Sequence, residues 1–133
     1  MQTWQAAGPH RYFVDGDRIR WESVGAVAKD QAHIFARLLL QVSDQHGHAY
    51  CLVDGRQMLP LPAESRRVYL DYLKQHQPRF SLAIFGAPLH IRVAGQLVIH
   101  AARLMSLPPM DVSYTATEAE AEAFLLARRA FTG

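Results

Sequence analysis

Hydrophobic and polar positions change period several times along the chain, and each change marks an element. Residues 12–24, YFVDGDRIRWESV, hold two short apolar segments joined by Asp15-Gly16, a pair suited to the positive backbone angles of a tight hairpin turn. In the second segment Ile19, Trp21 and Ser23 alternate with Arg18, Arg20 and Glu22. A period of two puts one face of a strand on a core and the other in water. The first eleven residues show neither this period nor a longer one. With Gly8-Pro9 among small and polar side chains, they are expected to form a loosely ordered arm.

From Lys29 to His46 the period lengthens: Phe35, Leu38, Leu39 and Val42 recur at three- and four-residue intervals. This predicts an amphipathic helix, stopped by Gly47. AYCLVD, residues 49–54, is an unbroken apolar run, as expected of a central strand covered on both faces. Pro60 and Pro62 exclude a helix across the next loop, but Pro62 suits the opening of one, because a first-turn proline gives up no needed hydrogen bond. That second helix should reach His76 with Tyr69, Tyr72 and Leu73 inward, and Pro78 ends it. FSLAIFG, residues 80–86, repeats the buried-strand pattern. Pro88 can start a third helix with Leu89, Val93, Leu97, Ala101 and Leu104 as its apolar stripe and Arg92, Gln96, His100 and Arg103 on another side; LPPM at 107–110 breaks it. DVSYT is a final strand, and Thr117 with Glu120 three residues on predicts a capping box for a last helix.

The resulting order, ββαβαβαβα, implies one α/β domain over residues 12–131. We expect a single-layer mixed, mostly parallel five-stranded sheet with an N-terminal β-hairpin and about four helices. A length of 133 residues suits one core. A formal charge of +2 without a clustered basic face argues against nucleic acid. No run approaches the ~18 apolar residues of a membrane helix, and the N-terminus lacks a secretory pattern. A cytoplasmic location without membrane association is therefore expected. Cys51, the only cysteine, leaves no intramolecular disulfide and sits in a run where it reads as a small apolar residue.

The chain has no Gly-x-Ser-x-Gly elbow, no phosphate-cradling loop and no dinucleotide fingerprint. His46 and His48 flank Gly47 without further ligands at metal spacing. No catalytic residue, cofactor or metal is expected. The stretch YCLVDGRQMLPLPAESRR, residues 50–67, is the exception to this plainness. Asp54 closes a central strand, and in open α/β sheets ligands and partners gather at the carboxyl ends of strands. Asp54, Arg56, Gln57, Met58, Leu59 and Arg66 form the candidate partner-binding surface, with Met58 and Leu59 as its apolar contacts. A second arrangement is open: the third helix with Trp21, Tyr69 and Phe85 could wall a cavity for a small lipophilic molecule.

The element order, the Asp at the end of the third expected strand, YCLVDGRQMLPLPAESRRVYLDYL at 50–73, LAIFG at 82–86 and TATEAEAEAFL at 115–125 together resemble the STAS domain of anti-sigma factor antagonists and sulfate transporters. More narrowly, the chain is similar to the STAS-like proteins of bacteria over nearly its whole length. The resemblance implies a non-enzymatic signalling domain whose partner is a regulatory protein of the kinase or anti-sigma type. In anti-sigma factor antagonists a serine at the start of the second helix, within Asp-Ser-Ser-Gly, is phosphorylated. Ser65 stands near that place within Ala63-Glu64-Ser65-Arg66, without the flanking residues or the glycine. Phosphate there would add nearly two negative charges beside Arg66 and Arg67. The leading expectation is thus protein-partner binding through the loop after the third strand and the start of the second helix. The alternative is a small apolar ligand, and homodimerisation is left open.

Overall fold

Glycine and proline set most element boundaries. Gly47, at φ 81, turns the chain out of α1 (Lys29–His46) while its N–H donates to the Ser43 carbonyl across 2.8 Å, a helix stop that a residue bearing Cβ resists. Pro62 and Pro88 stand at the N-caps of α2 (Ala63–His76) and α3 (Leu89–Leu104). The last helix, α4 (Glu118–Thr132), is capped by Thr117, whose Oγ1 accepts from the Glu120 N–H at 3.2 Å and donates to the Glu120 carboxylate at 2.9 Å. The computed structural model describes residues 3–107 and 110–132. Pro108 and Pro109, expected to break the third helix, lie outside them, as do the first two residues of the expected arm.

The strands are β1 (Gln5–Ala7), β2 (His10–Asp15), β3 (Arg18–Gly25), β4 (Ala49–Met58), β5 (Phe80–Phe85) and β6 (Asp111–Thr115). They lie in one mixed sheet in chain order, with β1 to β2 and β2 to β3 antiparallel and every later pair parallel. The sheet thus has six strands, not five, and the element order is βββαβαβαβα. The additional strand lies within the segment expected to be a loose arm. Gln5 to Ala7 carry no alternation that would announce a strand; pairing with Tyr12 to His10 makes them one, aided by Gly8 at φ 61 and by Ala7, which is buried. The β2–β3 turn is also shifted by one residue. Asp15 pairs with Arg18, so Gly16-Asp17 forms the two-residue loop, and Gly16 takes the positive φ.

A parallel sheet whose strand order follows the chain must send each right-handed crossover to the same face. Accordingly Phe35 and Leu39 of α1, Tyr69 of α2 and Ile91 of α3 share a core with Trp21, Cys51, Val53 and Ile84. α4, which follows the last strand, takes the opposite face, where Ala121 and Leu125 pack on Tyr50, Leu52, Ala83 and Phe85. β4 is covered on both sides, and Ala49 to Asp54 are all buried.

α3 departs from its expected orientation. Leu89, Val93, Leu97 and Leu104 are 66%, 53%, 65% and 75% exposed, so the stripe expected to face the core faces away from it. Ile91 and Ala102 are buried instead, with Ala94, Gly95, Val98 and Ile99 partly so. The sheet decides this. Tyr114 of β6 pushes its hydroxyl against the α3 backbone, where a Cβ on Gly95 would stand 1.8 Å from that oxygen. Only the face with glycine and alanine admits the ring.

Candidate functional site

The residues expected to act together are divided between the two faces of β4. Asp54 and Arg56 form one unit: the Asp54 carboxylate accepts the Arg56 backbone N–H at 3.0 Å, Nε at 3.0 Å and Nη2 at 2.7 Å. Arg56 runs over the Phe85 ring, 5.7 Å from its centroid, on the side covered by α4. Burial works to raise the Asp54 pKa, but the hydrogen bonds and charge of Arg56, with the charge of Arg20, outweigh it and hold the carboxyl below its usual value. Between the two, Gly55 faces the other way: a Cβ there would lie 2.8 Å from Ile84 Cγ2 and 3.1 Å from Ala87. Asp54 is therefore paired within its own strand, and none of its hydrogen bonds is to a histidine.

β4 continues through Met58, so Arg56, Gln57 and Met58 belong to the strand and the connection to α2 is only residues 59–62. Gln57 is exposed and Met58 half-buried against the core. Ser65 is fully buried and its Oγ donates to the Val27 carbonyl at 2.6 Å, tying the start of α2 to the segment before α1. A hydroxyl in that position is not presented at the surface to a kinase.

The other side of β4 holds a cavity of about 250 Å³ between the sheet and α1, α2 and α3. Its floor is the inward row of the strands: Trp21, Val53, Leu82, Ile84, Val112 and Tyr114. Phe35 and Leu39 of α1 close one side; Tyr69, Leu70 and Leu73 of α2 and Ala94 and Val98 of α3 close the rest. α3 turns Ala94 and Gly95 toward this space along with Ile91, Val98 and Ile99, while its leucines face outward, so the gap between α2 and α3 is not filled. Met58, Leu59 and Arg66 also line it, whereas Asp54 and Arg56 do not. Of the aromatics expected to wall a cavity, Trp21 and Tyr69 do so. Phe85 does not, because the strand alternation sends it to the α4 side.

Polar groups in this space are few. Ser23 Oγ accepts from Trp21 Nε1 at 3.0 Å. The hydroxyls of Tyr69 and Tyr114 have no hydrogen-bond partner among the described residues, and burial alone pushes both phenols above their ordinary pKa. Among those residues no fully enclosed side-chain nitrogen or oxygen lacks a partner. The two hydroxyls therefore border open space. Arg66 is the one charged residue among the lining side chains; its Nη1 donates to the Leu61 carbonyl at 2.9 Å, beside the exposed Leu59 and Pro60.

Two histidine networks, one buried and one partly buried, were not legible in the sequence. His10 Nδ1 accepts the Val24 N–H at 2.9 Å, which leaves Nε2 to donate to Gln31 Oε1, also at 2.9 Å; that oxygen in turn accepts the Ala28 N–H. β2, β3 and the start of α1 are joined at one point. His48 Nε2 lies 2.9 Å from Ser81 Oγ, which donates to Asp111 at 2.7 Å. Desolvation lowers both imidazoles. Ser81 is fully buried and bonded to the carboxylate itself, so these three residues lack the order of a nucleophile, base and orienting acid. Cys51 is likewise enclosed, and burial pushes its thiol up, away from a reactive thiolate. Among the described residues no cluster of three metal-ligating side chains occurs, and no helix is long and apolar enough to cross a membrane. No family model matches the chain, and no curated protein matches it in sequence.

Proposed function

We propose that the protein is a binding module for a small lipophilic ligand, held between the sheet and the three helices α1, α2 and α3. The observation that carries this reading is the apolar cavity of about 250 Å³ bordered by two tyrosine hydroxyls without partners. Protein interiors are packed to crystal density and tolerate few voids larger than a water. An apolar cavity of about 150 Å³ already stays dry and takes up benzene, so the space here is ample for a larger apolar molecule. Burying its surface would contribute about 25 cal/mol per Å² before the cost of immobilisation.

The test uses the neutral fluorophore N-phenylnaphthylamine. The unaltered protein should bind it saturably at one site, and Val98→Trp, which fills the cavity from α3, should abolish that binding while cooperative thermal unfolding is retained. Absence of binding to the unaltered protein, or equal binding to the folded Val98→Trp variant, would refute the reading.

Partner binding through the segment after β4, in keeping with the resemblance to STAS-like regulatory domains, is a second reading favoured by one observation. Leu59, 54% exposed, stands at the cavity end with Arg66 and would be an apolar contact on either account.

A further inference from the structure

Resting on the cavity reading, we infer that the ligand is an amphiphile with a carboxylate head and a single alkyl chain of medium length, the head bound by Arg66 and the chain in the cavity. Arg66, Tyr69, Leu70 and Leu73 of α2 all line the space. Spaced at i, i+3, i+4 and i+7, they form one face of the helix. Along that face the chemistry runs from a cation through a phenol to two leucines. A ligand matched to it has one anionic end and one apolar end.

The cation is available for this role. Arg66 is exposed, and among the described residues its one side-chain hydrogen bond uses a single N–H of the guanidinium on the Leu61 carbonyl. A guanidinium has five such donors in a planar fork that fits a carboxylate through two parallel bonds. No hydrogen bond or ion pair joins Arg66 to a carboxylate among the described residues. Glu64, its nearest acidic neighbour in sequence, lines a separate groove with Lys29 and Arg67. Tyr69, one turn deeper on α2, has a hydroxyl free to donate to the second oxygen or to a carbonyl next to the head. Apart from Ser23 and the Tyr114 hydroxyl the rest of the lining is apolar, and the space exceeds the ~150 Å³ that takes up benzene, so it suits an alkyl chain of medium length with the head at the exposed end.

Competition against bound N-phenylnaphthylamine by decanoate, decanol and protonated decylamine tests this, with the unaltered chain, Arg66→Gln, Arg66→Lys and Tyr69→Phe. Decanoate should bind about tenfold or more tightly than decylamine, as expected for a bidentate charged pair. Arg66→Gln should remove that preference, weakening decanoate about tenfold while leaving decanol within about twofold, and Arg66→Lys should restore part of it. Tyr69→Phe should weaken decanoate by about fivefold. If the fluorophore binds but decanoate and decylamine compete equally, or if Arg66→Gln leaves their ratio unchanged, the carboxylate assignment falls and the lipophilic cavity stands. If the fluorophore does not bind at all, both fall together.

Discussion

Ser65 begins its helix with the side chain turned inward, none of it exposed, and its hydroxyl closes a 2.6 Å bond to the Val27 carbonyl. Removing the donor leaves that carbonyl without its side-chain partner in a place water does not reach. Ser65→Ala should therefore cost about 1–2 kcal/mol of stability, read as a lower urea midpoint at unchanged slope. A loss below a few tenths of a kcal/mol would mean the tie contributes nothing to the fold. Ser65 was singled out in the sequence as a hydroxyl at a helix start, and that placement is right; its inward direction follows from the segment 26–28 packing beside α2, which no local pattern encodes. Asp54 shows the same division. Its place on the central strand was legible, but the strand does not close there as expected: β4 runs on through Met58, and the pairing of Asp54 with Arg56 depends on residue 55 being a glycine that lets β4 approach Ile84 and Ala87.

Elements bounded by a glycine or a proline were read closely, since those residues act through their own backbone. α1 ends at Gly47, and α2 and α3 start after Pro62 and Pro88 as expected. Orientation is a different matter when a helix is apolar on two sides. Leu89, Val93, Leu97, Ala101 and Leu104 recur at three- and four-residue steps, and so do Ile91, Gly95, Val98 and Ala102; the second set has the smaller side chains and carries the weaker hydrophobic signal. The choice between them belongs to Tyr114, which needs glycine opposite it. Two substitutions measure the outcome. Leu97→Gln, on the outward side, should change stability by no more than about 0.5 kcal/mol, whereas Ile91→Ala, inside, should cost about 2–4 kcal/mol. Chemical unfolding of both variants decides it, and a larger loss at Leu97 than at Ile91 would reverse the orientation of α3. β1 was missed for a related reason: three residues of small or polar character become a strand only through a neighbour.

At the scale of the molecule the two sides of the sheet are unequally filled. α4 closes its side with Ala121 and Leu125 packed on four buried sheet residues, while three helices on the opposite side leave about 250 Å³ unfilled. A ligand in that space adds contacts the folded chain lacks and the unfolded chain cannot make, so binding and folding are coupled. At a hundredfold excess over its dissociation constant a single-site ligand stabilises the native state by about 2.7 kcal/mol. For a chain of 133 residues, with an unfolding entropy of about 2.1 cal/mol/K per residue, that amounts to a rise of about 10 °C in the thermal midpoint. Calorimetric scans with increasing decanoate should show this rise, growing with the logarithm of concentration once the site is saturated. The same additions to Val98→Trp should leave its midpoint unmoved, because there the indole already occupies the space. A titration that shows decanoate bound to the unaltered protein without any rise would place the binding on native and unfolded chains alike, and so outside the cavity.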